Sequence, residues 1–286
     1  MSGFIAEVQL RWTDLDVQGH VNNVMVADYL QESRAQLLIS GPTQAMLEEG
    51  CVVVGHQIAY RAPIRYSDWP LGVEVSVCEL GGARFGVAYR LVQDGRLCVE
   101  ARSVLCPFDF DTQSPRRLTD VERGFLASHL VASEPMSQLV APALQGRGTP
   151  MAVHTRWSDP DRYGHVNNVR YLDFVLAGRI DMTTRADPSM SRVGMGNPDA
   201  LQWLIARQDI DYLVQLDYRP TPHRVLTAPV QVGETSVVLS TEIVDPDLGT
   251  VYSRARAVLV CADADGRKRR LPETARAAML ARLVTD

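Results

Sequence analysis

The stretch of sequence that decides the fold occurs twice. Residues 11–34 read RWTDLDVQGHVNNVMVADYLQESR, and residues 156–179 read RWSDPDRYGHVNNVRYLDFVLAGR. At an offset of 145 residues, 12 of these 24 positions are identical. The ends of the repeats also correspond, since EARSVL at 100–105 matches RARAVL at 254–259. Two stretches that recur in the same order indicate a duplication, so we expect two copies of a single fold.

The segment between the two repeats is rich in Pro, Gly and Ser and has no clean hydrophobic period. These features are typical of a linker, and 286 residues suit two domains of ordinary size. We therefore predict an N-terminal domain at residues 1–132, a linker at 133–150 and a C-terminal domain at 151–286.

Each half reads as a short strand, a long helix and then several strands. Apolar residues from about Asn23 to Leu38 cover most sides of the predicted helix, which should therefore be buried. β-branched and alternating runs follow, such as Val73 to Leu80 and Phe85 to Gln93, with Gly-Gly and Asp-Gly turns typical of antiparallel sheet. The sequence thus predicts an α+β fold, made twice, in which an antiparallel sheet wraps one long helix.

The second half carries extra residues after its helix. Matching Tyr60-Arg61 with Tyr218-Arg219 gives an offset of 158 in place of 145, which predicts about 13 additional residues near positions 187–210. On this alignment, the first strand after the second helix is expected to run from Tyr212 to Arg219.

Composition and charge exclude several classes of protein. The chain has 46% hydrophobic and 22% charged residues, as an ordinary globular protein has, and its net charge of −5 disfavours a nucleic-acid partner. Five cysteines without a Cys-x-x-Cys pair predict neither disulfides nor zinc. No long apolar run or basic leader is present, so we expect a cytoplasmic protein without a membrane partner. Walker and dinucleotide motifs are missing too, which predicts chemistry without a cofactor.

The repeated motif Asp-x-Asp-x-x-Gly-His-Val-Asn-Asn, set between a first strand and a long helix, resembles that of a known enzyme family. It is similar to the hotdog-fold acyl-thioesterases of the 4-hydroxybenzoyl-CoA thioesterase type, and to the related acyl-ACP thioesterases of plants and bacteria. The resemblance implies a tandem double hotdog, whose halves pack as the two subunits of a hotdog dimer do. Each active site would then lie where the halves meet.

The resemblance places the catalytic carboxylate on Asp16 and Asp161. A carboxylate can activate water as a general base or attack a thioester carbonyl directly. The N-terminus of the following helix offers backbone N–H groups and a positive dipole end to the developing oxyanion. The residues expected to form and position this site are Gly19, His20, Val21, Asn22, Asn23, Gly164, His165, Val166, Asn167 and Asn168.

Several of these residues have simpler interpretations. Asp14 and Asp159 are better explained as turn residues that accept backbone hydrogen bonds, and the asparagines also suit helix caps. The histidines either take part in catalysis or orient the turn. In acyl-ACP thioesterases an Asn between the Asp and the His is involved, whereas this chain has Gln18 and Tyr163 there. The Glu-Cys pair that those enzymes carry on a later strand is also missing.

An acyl-CoA substrate needs cationic contacts for its phosphates. The candidate residues are Arg61, Arg65, Arg84, Arg162 and Arg219, although arginines at strand ends are commonly just solvated. Arg162, Tyr163 and Arg170 would make the second mouth bulkier and more basic than the first.

The leading hypothesis is an acyl-CoA thioesterase that releases a free acid and CoA and assembles as a homo-oligomer. An acyl-ACP thioesterase, a catalytically silent acyl-CoA-binding or regulatory protein, and an enoyl-thioester hydratase or dehydratase are the alternatives. The Gly-His-Val-Asn-Asn motif argues against the last of these.

Overall fold

A computed structural model describes residues 3–190 and 201–285. The chain forms two compact units, Met1–Ser137 and Gln138–Asp286, called here the first and the second unit. Both contain a short strand, a long helix, four long strands and a short C-terminal helix, in that order. The predicted α+β fold, present in two copies, is confirmed.

The first unit is a five-stranded antiparallel sheet with one long helix. Its elements are β1 (Phe4–Val8), α1 (Asn23–Ile39), α2 (Gln44–Glu49), β2 (Cys51–Tyr60), β3 (Leu71–Leu80), β4 (Phe85–Gln93), β5 (Arg96–Asp109), β6 (Ser114–Pro115) and α3 (Asp120–Ser128). The sheet order is β1-β3-β4-β5-β2, and the short β6 pairs with the end of β5.

Helix α1 packs on one face of this sheet and contacts β1 and β3. Its residues Val26, Ala27, Leu30 and Leu37 are almost completely buried. On β3, every second residue from 73 to 77 is a fully buried valine, as expected when alternate side chains of a strand share one face. The predicted buried helix is therefore confirmed, and its start fixes the place of the loop that precedes it.

The second unit repeats the same plan. Its elements are β7 (Thr149–Val153), α4 (Arg170–Ala186), β8 (Gln202–Tyr212), β9 (His223–Val232), β10 (Ser236–Val244), β11 (Val251–Ala262) and α5 (Glu273–Leu280). Its sheet order, β7-β9-β10-β11-β8, is that of the first unit with each strand replaced by its counterpart. No helix among the described residues is long and apolar enough to cross a membrane.

The predicted alignment of Tyr60 with Tyr218 is wrong. The Tyr60 hydroxyl donates to the Asn23 carbonyl (3.0 Å), and in the second unit the Tyr212 hydroxyl donates to the Asn168 carbonyl (2.9 Å). The two strands thus correspond at an offset of 152, seven more than the offset of the helices. Strand β8 ends at Tyr212, where the sequence analysis placed its start. Of the predicted insertion, residues 191–200 lie outside the described part of the chain.

The true counterpart of Tyr218 is Tyr66. The rings of Trp12 and Tyr66 meet edge to face at 5.4 Å, and those of Trp157 and Tyr218 do so at 5.5 Å. The Tyr-Arg dipeptide misled the alignment because it occurs at the strand end in one half and beyond the strand end in the other.

Candidate active site

A tight turn in the first unit joins β1 to α1 and carries the predicted catalytic residues. The Asp16 N–H donates to the His20 carbonyl (2.7 Å), and the Gly19 N–H donates to the Asp16 carbonyl (3.0 Å). Gly19 has a φ of 75°, in the left-handed region that glycine enters at little cost. The turn therefore brings Asp16 and His20 side by side in front of the helix.

The Asp16 carboxylate is fixed by the backbone of its own turn. Its Oδ1 accepts hydrogen bonds from the Gln18 N–H (2.8 Å) and the His20 N–H (3.2 Å). The residue is half-buried, and the two backbone hydrogen bonds fix one of its carboxylate oxygens. Such a carboxylate is held in one orientation before any substrate arrives.

The turn of the second unit has the same backbone frame. The Asp161 N–H donates to the His165 carbonyl (2.9 Å), and the Gly164 N–H to the Asp161 carbonyl (3.1 Å). Asp161 Oδ1 accepts from the Tyr163 N–H (2.8 Å), and the φ of Gly164 is 84°. Burial raises the pKa of Asp161, while the Tyr163 N–H and the neighbouring His165 and Arg162 oppose this shift. A carboxylate with a raised pKa is a stronger general base.

The first aspartate of each motif builds the turn and does not face outward. Asp14 is buried, and its Oδ2 accepts from the Arg11 N–H (2.9 Å) and from the Tyr29 hydroxyl (2.7 Å). Burial, and then Asp14 itself, raise the pKa of Tyr29, so the phenol stays a donor. Asp159 is buried too and accepts from the Arg156 N–H (2.6 Å). This geometry is the one proposed for turn residues.

The backbone N–H groups of residues 19–23 differ in whether they already donate a hydrogen bond within the protein, and so in whether they can donate one to an oxyanion. Gly19 and His20 donate to Asp16, the Val21 N–H donates to the Ile64 carbonyl (2.8 Å), and the Asn22 N–H donates to the Asp14 carbonyl (2.8 Å). Asn23 is the first residue of α1, where an N–H has no acceptor within the helix. Of the predicted donors in this unit, Asn23 is therefore the one best placed to bind an oxyanion.

The first asparagine of each Asn-Asn pair accepts a backbone hydrogen bond near the helix start. Asn22 is the N-cap of α1, and its Oδ1 accepts from the Val24 N–H (3.3 Å). In the second unit, Asn167 Oδ1 accepts from the Val169 N–H (3.2 Å), and the Val166 N–H donates to the Leu216 carbonyl (2.8 Å). These bonds anchor each helix start to the turn and to the connection after the next strand.

The two histidines lie in opposite electrostatic surroundings. The backbones of His20 and Arg65 form an isolated antiparallel β-bridge, and burial and the Arg65 guanidinium lower the pKa of His20, with Asp16 opposing. In the second unit, His165 Nε2 lies 3.8 Å from Asp217 Oδ1. Since Ile64 and Leu216 make the same contact, Arg65 and Asp217 occupy equivalent positions.

Of the arginines predicted to bind CoA, two lie at the turns and three are paired with carboxylates. Arg65 lies beside His20, and the Arg162 guanidinium lies 6.0 Å from the centre of the Tyr163 ring. The paired arginines are Arg61 with Glu100 (2.8 Å), Arg84 with Glu79 (3.5 Å) and Arg219 with Asp245 (2.7 Å). Arg219 also donates to the Pro222 carbonyl (2.9 Å), so it holds its loop together.

Sequence reasoning did not identify the exposed tryptophans beside the turns. The Trp12 side chain is 72% exposed and that of Trp157 is 84% exposed, although each contacts a tyrosine. Their signal was present in the sequence, because both repeats begin with Arg-Trp. An exposed aromatic pair next to a polar turn is able to contact a bound ligand.

The cysteines do not compete with the aspartates as nucleophiles. Burial raises the pKa of each of the five thiols, and that of Cys51 rises to about 12. A thiol with a raised pKa is poorly nucleophilic at neutral pH. The half-buried carboxylates of Asp16 and Asp161 are therefore the better candidates for activating water.

Comparison with solved structures shows the same fold in several thioesterases. The 12:0-ACP thioesterase from Umbellularia californica has a TM-score of 0.68 and 17% identity, with 90% of this chain and 97% of that chain covered. The acyl-ACP thioesterase from Bacteroides thetaiotaomicron has a TM-score of 0.63 and 15% identity, with 90% and 96% covered. A putative oleoyl thioesterase from Lactobacillus plantarum has a TM-score of 0.69 and 14% identity, with 95% and 97% covered.

Comparison with protein families assigns both halves of the chain. A comparison with curated protein sequences gave no match. The family model of the thioesterase-like superfamily matches twice, over residues 10–141 and 155–281. Each match contains one Asp-x-Asp turn and one long buried helix, as the tandem hotdog prediction requires. The chain therefore belongs to the thioesterase-like superfamily, which confirms the double hotdog fold and the expectation of a thioester hydrolase.

Proposed function

We propose that the chain is an acyl-CoA thioesterase that hydrolyses an acyl thioester to the free acid and CoA. The observation that carries the proposal is the repeated turn, in which a half-buried carboxylate is fixed by backbone N–H groups at the start of a buried helix. Both Asp16 and Asp161 have this frame. A binding protein without turnover does not need a carboxylate held in this way twice.

In the first route, the carboxylate acts as a general base. It takes a proton from water as the water oxygen attacks the thioester carbonyl. The carbonyl oxygen becomes an oxyanion, which accepts a hydrogen bond from the N–H at the helix start, Asn23 in the first unit. The carbon–sulfur bond then breaks, and the proton is passed to the departing CoA thiolate.

In the second route, the carboxylate is the nucleophile. It displaces CoA to form a mixed anhydride, which water then hydrolyses to regenerate the carboxylate and release the acid. His20 lies beside Asp16 and is kept largely neutral by its lowered pKa, so we assign it an orienting role for either route. Neither route requires a cofactor.

The decisive experiment is free-thiol release from short, long, branched and aromatic acyl-CoAs. We expect the double variant Asp16→Asn/Asp161→Asn to lose about 10²-fold or more in kcat, the range of a general base. Asn keeps an oxygen acceptor for the Gln18 and Tyr163 N–H groups, so the turn should stay folded. Binding of acyl-CoA without thiol release by the wild type would instead support a silent binding protein.

An acyl-ACP thioesterase is the second candidate. The likeness of fold to two thioesterases named for acyl-ACP, over nearly their whole length, favours it. Gln18 and Tyr163, where an Asn is expected in that group, argue against it. Thiol release from dodecanoyl-CoA and dodecanoyl-ACP, compared at equal concentration, separates the two. Faster turnover of the ACP thioester would replace our proposal.

We further propose that the protein acts in the cytoplasm as a homo-oligomer of the two-domain chain. We keep the domain limits at residues 1–132 and 151–286. Light scattering that gives a 31.7 kDa monomer would contradict the oligomer. Limited proteolysis that spares residues 133–150 and cuts within a domain would contradict the limits.

A further inference from the structure

Four polar side chains are buried together in the apolar core of the first unit. They are Arg34 of α1, His56 of β2, Tyr89 of β4 and Ser103 of β5, called here the core polar cluster. Arg34 is only 6% exposed and the other three are about 1% exposed. His56 Nδ1 lies 2.8 Å from Ser103 Oγ. Arg34 is close enough to both His56 and Tyr89 to influence their pKa values.

The Arg34 guanidinium lacks a counterion. Among the described residues, no carboxylate forms an ion pair with it, and its Nη1 atom is buried without a hydrogen-bond partner. A guanidinium does not lose its proton in proteins, so the charge persists in the core. Burying an unpaired charge is strongly unfavourable unless a group of opposite charge joins it. The fold thus leaves one positive charge to be neutralised.

The neighbours of Arg34 do not supply that negative charge. Burial, and then Arg34, hold the pKa of His56 well below its usual value, so its ring is neutral. Burial raises the pKa of Tyr89, which keeps the phenol protonated. The Tyr89 hydroxyl has no well-formed hydrogen bond to the described residues, although Arg34 and Ser103 lie beside it. The core polar cluster therefore carries a net charge of +1, and its Tyr89 hydroxyl lies beside Arg34 and Ser103.

The core polar cluster lies at a defined depth below the catalytic turn. Arg34 follows Asn23 by 11 residues, which places it roughly 16 Å along the helix from its N-terminus. Tyr60 contacts Asn23, and His56 precedes Tyr60 by four residues, about 13 Å back along β2. Both paths run from the proposed oxyanion donor toward the C-terminal end of α1. An extended acyl chain whose thioester lies at Asn23 and which follows α1 would end near Arg34.

We propose that the core polar cluster binds the far carboxylate of an ω-carboxyacyl chain, so that the preferred substrates are medium-to-long dicarboxylic acyl thioesters. One carboxylate matches the single positive charge, and a planar carboxylate suits the guanidinium fork. The Tyr89 hydroxyl is a further donor to the same group. This inference rests on the proposed thioesterase activity and adds the class of acyl group.

The second unit provides a natural control because it lacks most of this cluster. Strand registers pair His56 with Ser103 in the first unit and Gln208 with Ala257 in the second. Likewise, Tyr89 pairs with Val75, whereas Thr241 pairs with Thr227, and their hydroxyls lie 3.2 Å apart. Arg179 takes the position of Arg34 but is only partly buried. A preference for dicarboxylic chains should thus depend on the first unit alone.

The test compares two matched series of CoA thioesters by thiol release. One series runs from adipoyl-CoA to hexadecanedioyl-CoA, and the other contains the monocarboxylic acyl-CoAs of equal length. At the best chain length, we expect kcat/KM for the dicarboxylic thioester to exceed that for the monocarboxylic one by about tenfold. One charge-assisted hydrogen bond accounts for a difference of this size. Arg34→Met should reduce that ratio to about one. Arg179→Met, the matched control, should keep it.

A binding measurement keeps the inference independent of turnover. Calorimetry should show that the free dicarboxylate binds at least about tenfold more tightly than the monocarboxylate, with the difference lost in Arg34→Met. If Arg34→Met does not fold, Tyr89→Phe should reduce the same difference. Dicarboxylate binding without thioester hydrolysis would defeat the proposed function and support this site. Hydrolysis with a ratio of one, and no dicarboxylate binding, would overturn the site alone.

Discussion

The two units hold the same Asp-x-x-Gly-His turn in opposite electrostatic surroundings. In the first unit Arg65 lies beside His20, and in the second unit Asp217 lies beside His165. The hydrogen bonds within the turns are otherwise alike, down to the glycine with positive φ. The duplication thus kept the frame of the carboxylate and changed the charge next to it. We infer that the two halves differ in how they treat an anionic substrate.

A second difference concerns how each turn is supported from the helix. Tyr29 donates to the buried Asp14 (2.7 Å), while the matching residue in α4 is Phe174, which has no hydroxyl. The second unit uses Tyr171, one helical turn earlier, whose hydroxyl accepts from the Leu216 N–H (2.8 Å). A helix tyrosine therefore bonds to Asp14 of the turn in the first unit, and to Leu216 of the connection after β8 in the second unit.

The largest expected effect comes from removing one carboxylate at a time. Asp16→Asn should lower acyl-CoA hydrolysis by about 10²-fold, within the range of a lost general base, because Arg65 attracts the CoA phosphates to the first turn. Asp161→Asn should have a smaller effect, since Asp217 repels them. Thiol release at acyl-CoA concentrations below KM, where the rate follows kcat/KM, measures both. Equal losses in the two variants would show that the charges of Arg65 and Asp217 do not make one half more active than the other.

Reversing the charge beside the histidine sharpens the comparison. Arg65→Asp should raise KM for acyl-CoA by about fivefold to tenfold, and Asp217→Arg should lower it, with both effects weaker in high salt. Arg90→Asp is the control, because Arg90 pairs with Glu74 on an exposed strand face. If Arg90→Asp raised KM as much as Arg65→Asp does, KM would depend on the net charge of the protein and not on the charge beside His20.

Replacing Tyr29 with the phenylalanine that the second unit has at the matching position tests how much the hydrogen bond to Asp14 stabilises the first unit. Tyr29→Phe removes one donor from buried Asp14 and leaves it the Arg11 N–H, so the free energy of unfolding should fall by about 1.5–3 kcal/mol, as for a bond to a charged group. Tyr89→Phe is the matched control, because its hydroxyl has no well-formed hydrogen bond to the described residues. Urea denaturation measures both. An equal loss in the two variants would mean that the Tyr29 hydroxyl contributes nothing specific.

The smallest expected effect is the pH dependence that buried His56 adds to the stability of the first unit. His56 has a pKa well below the usual 6.5 when folded, so the unfolded chain binds the proton more readily. Stability should then be lost as the pH falls below 6.5, by at most about 2 kcal/mol between pH 7 and pH 5. His56→Gln, which copies Gln208 of the second unit, should reduce this loss. Urea denaturation at both pH values that gave an unchanged loss would contradict the prediction.

Local sequence patterns predicted the parts of the structure that depend on near neighbours. The repeated turn, the buried helix and the antiparallel strands all follow from spacing within one segment, and all are present. The alignment of Tyr60 with Tyr218 failed because the loop between helix and strand has its own length in each half. A dipeptide match was too short to reveal it.

The electrostatics of the site were out of reach for a related reason. His20 and Arg65 are 45 residues apart in the chain, and their contact exists only because the connection after β2 returns to the turn. The position of Arg34, in contrast, could have been flagged. A charged residue within a helix that is apolar on most sides must either find a partner or remain unpaired in the core.

The turn that carries the carboxylate is closed on itself. Its amides bond mainly to its own carbonyls and to the side chain of Asp16, so little of its shape depends on the rest of the domain. Such a turn should keep its backbone conformation when the residues that contact it from outside are replaced. We therefore expect that border residues such as Arg65 and Asp217 can be exchanged between the two halves of this chain without loss of the turn's shape.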